Sequence, residues 1–70
     1  MREYLVKRRK ALNLSQQDVA NAIGISRQYY NAIENGIRQK RMDITLVVKI
    51  ATTLNMTPES VINAENAWSE

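Results

Sequence analysis

Arg27, Gln28, Tyr29 and Asn31 crowd into one stretch of the chain, SRQYYNAIENG, which runs from Ser26 to Gly36. Arg, Gln and Asn carry flat end groups with several hydrogen-bond donors or acceptors. Such side chains recognise a partner; alone they make and break no bonds. Catalytic chemistry is poorly supplied elsewhere. The sequence has no Cys and no His. Thiolate and imidazole ligands for zinc are therefore missing, as is the commonest general base. No grouping of nucleophile, base and orienting residue emerges. An enzyme, a metal site and a cofactor are all unexpected. Charge points the same way as the flat polar groups. All ten Lys and Arg lie in residues 1–50 against four acids, leaving +6, while residues 51–70 hold three acids and no base, leaving −3. A basic body with an acidic end suits a polyanionic partner on one side.

Recognition residues need rigid elements to hold them. Seventy residues are enough for one small domain, 1–70, with a modest stability margin. The apolar periodicity is helical throughout, with no sustained alternation of strand type. A first helix is predicted over about 2–12, with Leu5 and Leu12 on one face. The KRRK run, Lys7 to Lys10, reads as a solvated stripe. Ser15 is a strong N-cap, and Asp18 three residues on completes a capping box. Leu14 and Val19 form a staple, Val19, Ala20 and Ile23 the inner stripe, and Gly24 the left-handed stop. A third helix repeats the design with Ser26 as cap, Tyr30 and Ile33 inward, and Gly36 at the end. IRQKRMD then makes a polar, basic connection. Val47, Ile50, Ala51 and Leu54 mark a fourth helix over about 44–54, with Asn55 as its left-handed stop. MTPESV starts a fifth, with Thr57 as cap and Pro58 at its first position. That helix is predicted to end near Ala64, leaving a tail over about 63–70. The expected fold is an all-α, compact five-helix bundle.

The segment from Leu14 to Gly36 resembles the phage repressor and Cro-type (XRE) helix-turn-helix family. The matching features are Ser15-Gln16, Ala20, Gly24-Ile25-Ser26 and Glu34-Asn35-Gly36. Arg9 and the run Val47-Val48-Lys49-Ile50-Ala51-Thr52-Thr53-Leu54 also match, so the resemblance spans about Leu5 to Ile62. It implies a lambda-repressor-like DNA-binding domain with its helix-turn-helix over about 15–35. The third helix would then be the recognition helix in the major groove. Its first-turn residues Arg27 and Gln28 would contact bases, Arg pairing with guanine and Gln with adenine. Asn31 shares their outer face. Tyr29 would touch a thymine methyl or a phosphate, or pack against the following loop. Gln16, at the unpaired N–H groups of the second helix, would meet a phosphate. Ser26, Asn35, Arg38, Lys40 and Arg41 are further phosphate candidates. Arg9 and Glu34 would bridge the first and third helices as a structural ion pair. Three departures stand out. Arg8 replaces an apolar residue, Asn13 replaces a Gly and is expected in a left-handed conformation, and the connection after Gly36 is long and lacks Pro.

The resemblance implies a transcriptional regulator acting by operator occupancy, as a repressor or an activator, whose partner is double-stranded DNA. Pairing of two units across a two-fold axis would place a homodimer on an inverted repeat. Met56, Ile62 and Trp68, in the segment without positive charge, are the interface candidates, with Val61 kept for the core. A protein-interaction module, such as an antitoxin-like partner using the same fold, is the alternative. No small-molecule ligand is expected. No apolar run approaches the roughly 20 residues needed to span a bilayer. The start, MREYLVKRRK, has no apolar stretch of signal-peptide type. A soluble, cytoplasmic protein without a membrane partner is therefore the expectation.

Overall fold

In the computed structural model, which describes residues 1–37 and 42–68, five helices follow one another without a strand among them. They are α1 Glu3–Ala11, α2 Gln16–Ile23, α3 Arg27–Glu34, α4 Ile44–Thr53 and α5 Pro58–Trp68. α2 packs on α3 and α4, α4 on α5, and α1 on α3. Leu5, Val19, Ala20, Ile23, Tyr30, Ile33, Ile50 and Leu54 form the main core. Val47, Ala51 and Val61 form a smaller cluster between α4 and α5, and Met56 packs against both.

The helix starts follow the cap chemistry. Ser15 Oγ accepts from the Asp18 N–H at 3.0 Å, and the Asp18 carboxylate accepts in return from the Ser15 N–H at 2.8 Å. Those bonds hold the Asp18 carboxyl below the usual carboxylate range. Thr57 Oγ1 accepts from the Ser60 N–H. Asp43 caps α4 by accepting from the Leu46 N–H at 2.8 Å, a cap hidden in the polar connection when only the sequence is read.

The first four helices stop by one device. A residue with positive φ is followed by an apolar residue whose N–H turns back to the helix. The left-handed residues are Asn13, Gly24, Gly36 and Asn55. The bonds are Leu14 N–H to Arg9 O, Ile25 N–H to Ala20 O, Ile37 N–H to Ala32 O and Met56 N–H to Ala51 O. This geometry satisfies carbonyls that a helix end leaves unpaired.

α1 is held largely by polar anchors, since Leu5 is its one buried residue. Arg8 donates from Nε to Leu54 O at 2.9 Å and from Nη2 to Asn55 O at 3.1 Å, closing the end of α4. An apolar residue could not do this, which accounts for Arg at that position. The KRRK run is therefore no uniform solvated stripe: Lys7 and Lys10 are exposed, while Arg8 and Arg9 are half-buried and bonded within the fold.

α5 also departs from expectation. It continues four residues beyond Ala64 to Trp68. Its last turns are fastened by contacts distant in sequence. Glu65 accepts from Arg2 and from Tyr4 Oη, and Trp68 lies over the Arg2 guanidinium, 4.3 Å from charge centre to ring centroid.

Candidate nucleic-acid interface

The α2–α3 corner is built around a small residue and a left-handed turn. Ala20 is fully buried in the main core, on the helix that packs against both α3 and α4, so a larger side chain there would overpack that core. Gly24 has φ +88°, yet a Cβ added to it would meet nothing within 4 Å. The requirement for Gly is therefore backbone conformation and not space. Ser26 Oγ accepts from the Tyr29 N–H and starts α3. Tyr30 and Ile33 are buried, which turns Arg27 and Gln28 outward on the first turn, both exposed.

Behind them runs a chain of side-chain hydrogen bonds. Arg9 donates to Glu34 through Nε at 2.7 Å and Nη2 at 3.2 Å, and through Nη1 to Leu14 O at 3.1 Å. Gln16 Nε2 donates to Glu34 Oε1 at 2.9 Å. Asn31 Nδ2 donates to Gln16 Oε1 at 3.2 Å, and Asn35 Nδ2 to Asn31 Oδ1 at 3.0 Å. The ion pair expected between Arg9 and Glu34 is thus the inner end of a relay that reaches the outer side of α3. Burial pushes the Glu34 carboxyl up. Hydrogen bonds from Arg9 and Gln16, with the Arg9 charge, outweigh that and hold it below the usual carboxylate range. The bond to Glu34 in turn holds Arg9 above the ordinary guanidinium value. The Tyr30 hydroxyl lies buried beside this pair and interacts with both groups, without completing a hydrogen bond of full geometry to either. Burial, with the Glu34 carboxylate adding to it, pushes that phenol well above the tyrosine range.

The other recognition candidates fall in different settings. Tyr29 is half-buried, packs on the main core and lines a shallow groove with Ile23, Ile25, Leu46 and Lys49. Asn31 and Gln16 are half-buried in the relay, and Asn35 is the residue that ends α3. Ser26 spends its hydroxyl oxygen on the cap. Arg38, Lys40 and Arg41 lie outside the described residues. Of the interface candidates, Ile62 is 39% exposed. Met56 is half-buried between the two cores, and Trp68 is half-buried against Arg2 and Gly36.

Arg2, Arg8, Tyr4 and Glu65 escaped the sequence reading. Arg2 meets Glu65 across 63 positions, so no local spacing announces the pair. One signal was available. A charged residue at a position that otherwise reads as apolar, as Arg8 does, is a candidate cap for a neighbouring helix. Three of the seven described Lys and Arg residues, Arg2, Arg8 and Arg9, are bonded inside the fold. That leaves Lys7, Lys10, Arg27 and Lys49 as the exposed cations among the described residues.

No grouping of His, Cys, Asp and Glu that could hold a metal occurs among the described residues. No described helix is long and apolar enough to cross a membrane. A family model described as helix-turn-helix matches residues 5–61. No curated protein and no solved structure matches the chain.

Proposed function

The chain belongs to the XRE-type helix-turn-helix family of DNA-binding regulators, and from that premise we propose that it reads an operator through Arg27 and Gln28. The observation that carries this reading is their setting. Both are exposed on the first turn of a capped helix, their side chains making no hydrogen bond to another described residue, while the polar side chains beside them are bonded to one another. Side chains free to reach outward from a fixed backbone are what base recognition needs. Tyr29 and Asn31 flank them and contribute the edges of the contact. Phosphates are met by the first-turn N–H groups at Gln16 and Ser26, by Asn35, and by the cations Arg38, Lys40 and Arg41. Nothing enzymatic is required; the protein acts in the cytoplasm as a repressor by occupying its site.

The same reading makes the active form a homodimer on an inverted repeat. The chain measures 27 Å along its longest axis, and half-sites on one face of a duplex lie about 34–36 Å apart. One unit therefore cannot reach two. Ile62 on α5 is the exposed apolar residue in the segment without positive charge. Met56 and Trp68 already serve this chain's own packing, so they border the contact and Ile62 centres it.

Selection of bound sequences from a random duplex pool tests the assignment. Arg27→Ala and Gln28→Ala should each cost about 1–3 kcal/mol at one base pair and relax the preference there. Two variants with unchanged base preferences would refute it. Ile62→Asp should give a folded monomer with weak operator binding; a native dimer from that variant would remove Ile62 from the interface. Absence of any salt-dependent DNA binding, with a protein partner co-purifying, would favour the interaction-module alternative.

A further inference from the structure

We infer that Arg2, not itself among the residues proposed to touch DNA, is a positioning residue for α3 and so for sequence discrimination. This rests on reading α3 as the recognition helix. Arg2 is fully buried, an expensive place for a charge unless it is paired and hydrogen-bonded. Its contacts converge on the end of α3. The Arg2 backbone N–H donates to Glu34 O at 2.6 Å, and its Nη1 donates to Ile33 O at 2.6 Å. These are two carbonyls of the last turn, where a helix has no partners of its own. The remainder of the guanidinium is gripped by α5. Nε and Nη2 fork onto Glu65 at 2.8 and 3.1 Å, and the Trp68 ring covers the group. Tyr4 supports the same carboxylate from α1. The residue closing α3 is held too: a Cβ on Gly36 would lie 2.8 Å from Trp68 Cζ2.

α3 is thereby clamped at both ends. Ser26 and the turn from α2 fix its start; Arg2, backed by Glu65 and Trp68, fixes its finish. An eight-residue helix is about 12 Å long. With the start fixed, a tilt of about 10° moves the finish by about 2 Å and turns the Arg27 and Gln28 side chains through the same angle, at the limit of the alignment that paired hydrogen bonds to one base require. Phosphate contacts through long cationic side chains absorb such a shift; paired contacts to one base do not. Lys cannot replace Arg here, because a point ammonium lacks the fork that joins Ile33 O to Glu65.

The test compares Arg2→Lys, Glu65→Gln and Arg27→Ala with the unmodified protein, at a temperature where circular dichroism shows each folded. Affinity is measured for the pool-selected duplex and for random duplex across a salt series. Arg2→Lys and Glu65→Gln should leave random-duplex affinity and its salt slope unchanged, and lower the ratio of selected to random affinity about tenfold, the scale of one good base contact. Emission from Trp68, the one tryptophan in the chain, should shift in both variants as its stacked cation moves. A merely structural role would lower the melting temperature and leave that ratio alone. An unchanged ratio in both variants, with Arg27→Ala still losing base preference, overturns the inference. If Arg27→Ala keeps its preferences, the recognition-helix reading falls first and the inference with it. Should Arg2→Lys fail to fold, Glu65→Gln decides.

Discussion

Replacing Arg9 by Met removes one half of the Arg9–Glu34 pair while keeping most of the side-chain volume. Arg9 is 11% exposed and Glu34 only 2%, so solvent cannot stand in for the lost guanidinium. Glu34 would keep a single donor from the described hydrogen bonds, Gln16 Nε2, where it now accepts three bonds. Stranding a buried charge in this way costs about 3–5 kcal/mol. A 70-residue domain has roughly 4–10 kcal/mol of stability in all. Arg9→Met should therefore sit at the margin of folding near neutral pH. Its pH dependence should also reverse. In the native protein the folded-state pKa of Glu34 is depressed. Its contribution is present above the unfolded carboxylate value and is lost as pH falls through the folded one. Without Arg9, burial dominates and the folded pKa rises above the unfolded value. The variant then gains stability as pH falls through that raised value, by protonating Glu34. The gap between native protein and Arg9→Met, read from urea unfolding followed by circular dichroism, should thus narrow from about pH 7 to about pH 4. Arg9→Met/Glu34→Leu should recover most of the loss, because the stranded charge is gone and half-buried Gln16 can turn to water. A loss under about 1 kcal/mol for Arg9→Met at neutral pH, or a gap that widens in acid, would refute this account of the relay.

Tyr30→Phe deletes a buried hydroxyl that faces the Glu34 carboxylate without completing a hydrogen bond of full geometry, so it should change stability by less than about 1 kcal/mol in a thermal melt; a loss of about 2 kcal/mol or more would mean that the hydroxyl donates to Glu34 in solution. Asn55→Gly relieves a non-Gly residue at φ +55° and should add about 0.5 kcal/mol in the same thermal assay. A destabilised variant would show that the Asn55 side chain does more there than tolerate the turn.

Much of the architecture was readable because its causes are local. Ser15, Ser26 and Thr57 act as caps over three residues. Gly24, Asn13 and Asn55 take left-handed turns for reasons local to each, Gly because it lacks a Cβ and Asn because its short polar side chain tolerates that conformation. The Arg9–Glu34 pair was legible through family resemblance and not through spacing, since 25 positions separate the partners. What escaped is long-range and polar. The last turn of α5 has little apolar pattern to announce it, and Glu65 and Trp68 fasten it to Arg2 from the far end of the chain. Arg8 read as surface charge because nothing near it in sequence reveals that it ends beside the Leu54 carbonyl. In the candidate site, the outward placement of Arg27 and Gln28 followed from helix period alone. The engagement of Asn31 and Gln16 with each other did not, because it depends on how α2 and α3 cross.

The exposed pair Arg27 and Gln28, whose side chains engage none of the described residues by hydrogen bond, also bears on how such a protein changes over generations. Substitutions there meet no core, no cap and no member of the hydrogen-bonded relay, so they carry little penalty in folding. Surface changes away from such features usually alter stability by less than about 0.5 kcal/mol. On the proposed reading of Arg27 and Gln28 as base contacts, binding preference can therefore wander while the scaffold stays viable, and a duplicated copy could acquire a new target in one or two steps without passing through an unfolded intermediate. Asn31 and Gln16 have less latitude, because each is hydrogen-bonded to the other within the relay and a replacement there gives up that bond. The boundary between these two sets marks which positions a lineage, or a laboratory library, can vary freely.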